Sequence, residues 1–136
     1  MTMKLRLPEH LRAQIMAQAR AAYPGECCGL LLGHAREATS DVVALYPARN
    51  LEMRNDRFEI APEDHFAALK RARAEGLGVI GCYHSHPDGV ARPSATDLAG
   101  AGEQGFIWLI AADDALAAFV YSGDSFEDAE LVTSSS

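Results

Sequence analysis

Residues 84 to 97 read His84-Ser85-His86-Pro87-Asp88-Gly89-Val90-Ala91-Arg92-Pro93-Ser94-Ala95-Thr96-Asp97. Side chains at i and i+2 of a strand project to one face, so His84 and His86 can converge on a single ion. Asp97, in the first turn of a helix, can bring its carboxylate back toward them. Two imidazoles and one carboxylate leave a fourth position open for water, the arrangement of a catalytic zinc and not of a closed structural one. Ser94-Ala95-Thr96-Asp97 reads equally well as a capping box, with Ser94 as N-cap and Asp97 three residues on.

The elements that must position these groups are legible around them. Leu77 to Tyr83 is a short, uncharged, mostly apolar run, the pattern of a buried strand that delivers the histidines at its exit. Pro87 cannot donate a ladder hydrogen bond, so the strand is expected to stop at His86. Asp88-Gly89 supplies a turn, and Pro93 stiffens the approach to Ser94. Histidines occur only at positions 10, 34, 65, 84 and 86. No third imidazole therefore comes after the motif, which disfavours cupin-type sites. Non-haem iron oxygenases share the ligand types but with the carboxylate beside the first histidine. An HxH hydrolase on a (β/α)₈ barrel needs about 200 residues or more, against 136 here. Zinc fits best.

His84-x-His86-Pro87 with Ser94-x-x-Asp97 downstream resembles the JAMM motif of the MPN-plus metallopeptidases. Tyr23-Pro24-Gly25-Glu26-Cys27-Cys28-Gly29-Leu30-Leu31-Leu32-Gly33 is similar to the segment that carries the family's glutamate, which places Glu26 in that position. The resemblance extends over residues 5 to 133 and leaves no motif position substituted. It implies one α/β domain spanning residues 1–136, related to the cytidine deaminases, with a mixed central β-sheet flanked by helices. It also implies zinc (Zn2+) held by His84, His86 and Asp97, Glu26 as the general base, and Ser94 as a donor to the developing oxyanion. The implied activity is that of a zinc peptidase or isopeptidase. Without the resemblance, Glu26 is one of ten acidic residues before the motif.

Along the rest of the chain, Pro8 to Ala22 reads as a helix with Leu11, Ile15, Ala19 and Ala22 on one face, broken by Pro24-Gly25. Residues 28 to 32 and 41 to 48 read as strands, 49 to 56 as a polar mobile loop, and Phe58-Glu59-Ile60 as a strand. Pro62 to Ala74 reads as a helix with Phe66, Leu69 and Ala72 inward. Residues 106 to 111 and 116 to 121 suggest a hairpin around Asp113-Asp114. Residues 127 to 132 suggest a last strand, and 133 to 136 a frayed tail. Cys82 is expected buried below the site; of Cys27 and Cys28, one is expected to point into the core.

Nearly half the residues are apolar, enough for a core without disulfides, and three cysteines make no disulfide framework. No apolar run approaches the ~18 residues of a membrane span, and the N-terminus lacks a signal-peptide core, so the expected location is the cytoplasm. The net charge of −7 argues against nucleic-acid binding, which needs a basic footprint. No lysine or arginine lies beyond Arg92, against eight acidic residues from Asp97 onward. A chain of this size resembles bacterial members that act on small ubiquitin-like sulfur-carrier proteins, removing the residues beyond a C-terminal Gly-Gly. A glycine tail can lie extended along a sheet edge, and the 49 to 57 loop could help hold it. A zinc amide hydrolase with another peptide or small-molecule substrate, and a non-catalytic MPN interaction module, stay open as alternatives.

Overall fold

In the computed structural model, which describes residues 2–52 and 57–134, seven strands close into a barrel in the order β1-β3-β2-β4-β5-β6-β7. The elements are β1 (Lys4–Pro8), α1 (Glu9–Ala22), β2 (Cys28–His34), β3 (Thr39–Ala48) and α2 (Pro62–Ala74). They continue with β4 (Gly78–Ser85), α3 (Ala95–Gly100), β5 (Ile107–Ala112), β6 (Ala115–Tyr121) and β7 (Phe126–Ser134). Pairing is mixed. β1 runs parallel to both β3 and β7, and β4 parallel to β5, while the other neighbours are antiparallel. The expected α/β mixture and mixed sheet are present, and the strands close into a barrel. Closure comes from β1, a strand that the sequence pattern did not single out, whose Leu7 and Pro8 pair with Thr133 and Ser134. Those two residues therefore extend β7 instead of fraying.

The alternation of the central strands sorts the interior into two apolar clusters. Leu31, Tyr83 and Leu109 face one way, onto Leu11, Ile15 and Met16 of α1. Leu30, Leu32, Cys82, Trp108 and Ile110 face the other way, onto Ala68 and Ala72 of α2. Both faces of β2, β4 and β5 are thus covered, which is why these runs read as continuously apolar and not as alternating. Each fully buried leucine contributes about 1.5–3 kcal/mol by removal from water. Gly29 is required by this packing, because a Cβ there would lie 2.3 Å from the Tyr83 ring. The Tyr83 hydroxyl then donates to Gln18 Oε1 of α1 at 2.6 Å.

α2 spans the expected residues but turns differently. Ala68 and Ala72 are buried, whereas Phe66 and Leu69 are exposed. A 68/72 pair makes one stripe at helical spacing, and position 66 falls some 200° away from it at 100° per residue. Small residues let the helix approach β2 and β4 closely. The Phe58-Glu59-Ile60 strand reduces to a single bridge between Ile60 and Asn50. Arg49 at the start of the supposed mobile loop is pinned, its backbone N–H and guanidinium both donating to Asp64; residues 53–56 lie outside the described residues. Among the described residues no helix is long and apolar enough to cross a membrane.

Candidate metal centre

The strand exit works as the spacing predicts, with one shift: β4 ends at Ser85, a residue before the second histidine. The His86 N–H still donates to the Ala111 carbonyl, at 2.7 Å, continuing the contact with β5. His84 and His86 bring their Nε2 atoms to 3.0 Å from each other. Asp97 arrives from α3 and sets Oδ2 3.3 Å from His84 Nε2 and 3.0 Å from His86 Nε2. All three side chains are buried.

The register of β2 and β4 explains how Glu26 reaches them from almost sixty residues upstream. Cys28 pairs with His84 in an antiparallel ladder, so Glu26 falls opposite His86 and on the same face. The ladder is extended past the strand end by Ser85, whose N–H donates to the Cys27 carbonyl and whose Oγ accepts the Cys27 N–H. Glu26 is 4% exposed, and its carboxylate forms with His84 and His86 a group whose ligand atoms lie within 4.8 Å of one another and could hold a metal ion.

Three features fit these residues to a cation. Tetrahedral bonds of ~2.0–2.1 Å imply ligand–ligand separations of about 3.3–3.4 Å, close to the 3.0–3.3 Å found. His86 Nδ1 donates to the Val90 carbonyl at 2.8 Å, which fixes its tautomer and leaves Nε2 as a lone pair aimed into the site. That lone pair faces a second imidazole nitrogen and a carboxylate oxygen, so the cluster requires either a shared proton or a positive ion at its centre.

Without an ion the three groups would share protons unequally. Burial lowers the His84 pKa and keeps that imidazole neutral, against the pull of Asp97. Burial likewise opposes the charged form of His86, but Asp97 and the Val90 carbonyl outweigh it and raise its pKa. Burial also works against ionised Asp97, yet hydrogen bonds from His84 and His86 hold it well below the usual carboxylate range. Asp97 is therefore the permanent negative charge of the cluster.

The capping box and the ligand geometry coexist in Ser94 and Asp97. Ser94 Oγ accepts the Asp97 N–H at 3.0 Å, and the Ser94 N–H donates to Asp97 Oδ2 at 2.9 Å. Among the described residues no acceptor takes the Ser94 hydroxyl proton. Cys82 is buried in the apolar cluster under the site, as expected. Cys28 is the buried member of its pair, with a pKa pushed up to about 12 mainly by burial.

Sequence reasoning missed four residues that build the surroundings. Phe58 stacks on the His84 ring at 4.2 Å, and Trp108 meets it edge-on at 5.5 Å. Asn50 donates from Nδ2 to the Glu26 carbonyl and accepts the Glu52 and Glu59 N–H groups on Oδ1, tying the Glu26 backbone to the neighbouring segment. Ser85 is the fourth. Its place between the two histidines was the available signal, since it must point to the opposite strand face; Asn50 in a polar run offered none.

The barrel carries an HxH strand exit, a capped aspartate and a glutamate in register, and Glu26, His84 and His86 could hold a metal ion. Residues 8–128 match the prokaryotic homologs of the JAB domain. The chain is 32% identical to a desampylase of Haloferax volcanii over 92% of this chain and 93% of that protein. It is 35% identical to a desampylase of Pyrococcus furiosus over 76% of this chain and 71% of that one. A solution structure of a Desulfitobacterium hafniense protein superposes with a TM-score of 0.86 at 29% identity, covering 98% of this chain and 94% of that one. The chain belongs to the JAB/MPN family, as its motif resemblance implied.

Proposed function

We propose that the chain is a zinc-dependent amide hydrolase of JAMM type, residues 5 to 133 acting as one cytidine-deaminase-like unit. Its proposed reaction removes the residues attached beyond the C-terminal Gly-Gly of a small ubiquitin-like sulfur carrier. The observation that carries this reading is the convergence of His84 Nε2, His86 Nε2 and Asp97 Oδ2 within 3.0–3.3 Å, with the Glu26 carboxylate alongside. The names of the two desampylases support a deconjugating enzyme. Free Cys27, Cys28 and Cys82 suit the reducing cytoplasm.

Zinc held by His84, His86 and Asp97 supplies Lewis acidity and water of lowered pKa. Glu26, buried and held through its backbone by Asn50, accepts the proton of the attacking water and passes it to the leaving amine. The uncommitted Ser94 hydroxyl proton donates to the oxyanion while its Oγ keeps the helix capped. β1 pairs with β3 only at Thr39–Asp41, so among the described strands β3 keeps one side without a strand partner from Val42 to Ala48. Nearer His84, a cleft lined by Phe58, Ile60, Thr96, Asp97, Gly100 and Trp108 has an aromatic wall that suits residues without side chains. With Glu26 serving the amine, this Asp97-side cleft takes the acyl tail.

The test is a sulfur carrier with residues added after Gly-Gly, monitored by intact mass. Loss of the added residues is expected with zinc and not after chelation. If no Gly-Gly-extended carrier is cut, the substrate assignment is wrong.

A further inference from the structure

The two histidines of the site are held in different ways. His86 Nδ1 donates to the Val90 carbonyl at 2.8 Å, the outer hydrogen bond that a metal-ligating imidazole ordinarily makes. His84 turns its Nε2 to the same centre. Among the described residues, however, no group pairs with its Nδ1, which is itself buried. Aromatic rings hold this imidazole instead. Phe58 stacks on it with centroids 4.2 Å apart and planes inclined by 21°. Trp108 stands at 88° to it and is backed in turn by Phe126, whose ring centroid is 5.0 Å away. Phe58 lies in no strand or helix, but the residues after it are tied down. The Leu51 N–H donates to the Glu59 carbonyl, the Ala61 N–H to the Arg49 carbonyl, and the Glu59 N–H to Asn50 Oδ1.

We propose that Phe58 is a positioning residue of the metal centre, its ring face orienting His84 toward the ion in place of an outer hydrogen bond. The inference rests on the metal-binding part of the reading above and not on the substrate. Stacking resists rotation of the imidazole about χ2, the motion that would swing Nε2 away from His86 and Asp97. Coordination also draws electron density out of the imidazole, and the negative face of a benzene ring favours an electron-poor partner. The stack therefore strengthens when the ion binds, which an aliphatic side chain of similar bulk cannot do. An acceptor on Nδ1 would raise the basicity of the ligand. His84, without one, is the less basic of the two imidazoles, which preserves the acidity of water on the ion.

Phe58→Leu keeps apolar bulk over His84 and removes the ring face, whereas Phe58→Tyr keeps the face. Zinc dissociation constants are measured by competition with a chromogenic chelator. We expect Phe58→Leu to weaken binding about three- to tenfold, the scale of one stacked aromatic pair, and Phe58→Tyr to stay within about twofold of the unmodified protein. With cobalt(II) in place of zinc, the ligand-field bands should shift in Phe58→Leu and not in Phe58→Tyr, because they report ligand orientation and not packing. Unchanged affinity and bands in Phe58→Leu would overturn the inference. Should that variant not fold, long-range ¹H–¹⁵N spectra of the unmodified, zinc-loaded protein decide. The His84 Nδ1 proton is expected upfield of the His86 one, and equal shifts overturn the inference. Zinc affinities as expected with no carrier cleaved would sink the hydrolase reading alone. Failure of the unmodified protein to bind zinc would overturn both.

Discussion

Glu26 and Asp97 are both buried carboxylates, and their neighbours give them different work. Asp97 faces two imidazoles and a backbone N–H, which keep it ionised and fixed. Glu26 is placed by strand register and steadied by Asn50 through its backbone. Glu26→Gln should therefore retain zinc by elemental analysis while slowing carrier cleavage by roughly 10²–10⁴-fold. Asp97→Asn should lose the metal as well. A zinc-loaded Glu26→Gln protein at full speed would remove the base assignment. Tyr83 offers a test at alkaline pH. Burial, as the largest influence, raises its phenol pKa above the ordinary 10.0. A raised pKa means that the folded state resists ionisation, so the Tyr83 contribution is whole below 10.0 and is lost as pH climbs past it. Below that point Tyr83→Phe should be less stable, having lost the bond to Gln18. In urea unfolding the gap between the two proteins should close as pH rises from about 9 to about 12.

At the scale of elements, Pro62 to Ala74 was readable to the residue because proline opens the helix at its first turn. The β5–β6 hairpin was readable from its Asp113-Asp114 turn. The inward face of α2 was not, because size and not position drew attention to Phe66 and Leu69, while Ala68 carries the contact. Phe58 looked like part of a strand and is instead a ring laid on His84, a placement that only the folded chain creates. The Asp88-Gly89 turn has more consequence than its length suggests. Gly89 adopts φ +84°, its N–H reaches the His86 carbonyl, and the next carbonyl, Val90, holds His86 Nδ1. A β-branched residue is strained at that φ. Gly89→Val should then lower zinc affinity by about 10–100-fold, measured by competition with a chromogenic chelator, while the circular dichroism spectrum stays unchanged.

For the whole molecule, the histidines and Asp97 could be read together because they fall within one fourteen-residue run. Glu26 needed a resemblance, since only the β2–β4 register brings it there. Closure of the barrel was invisible because β1 is five residues long and carries a lysine and an arginine on its exposed positions. Its Leu5 and Leu7 are nonetheless fully buried. Deleting residues 2–7 should uncover the edges of β3 and β7, and unpaired edges seed intermolecular pairing. Size-exclusion chromatography should show aggregated protein in place of a single sharp species. A monodisperse, zinc-binding deletion would show that β1 is dispensable.

Asp97 closes the first turn of a six-residue helix and also faces both histidines. Helices this short have almost no stability of their own. Asp97 Oδ2, which accepts the Ser94 N–H at the helix start, is also the oxygen facing both histidines, so α3 and an ion held there would depend on the same carboxylate. Occupancy and winding are then thermodynamically linked, and the link is reciprocal. The Asp97 amide, donated to Ser94 Oγ, sits at the junction. Its rate of hydrogen exchange should track metal loading, faster in the stripped protein and slower on titration with zinc. Under the proposed zinc reading, a single backbone proton would thus report the loading of the whole site.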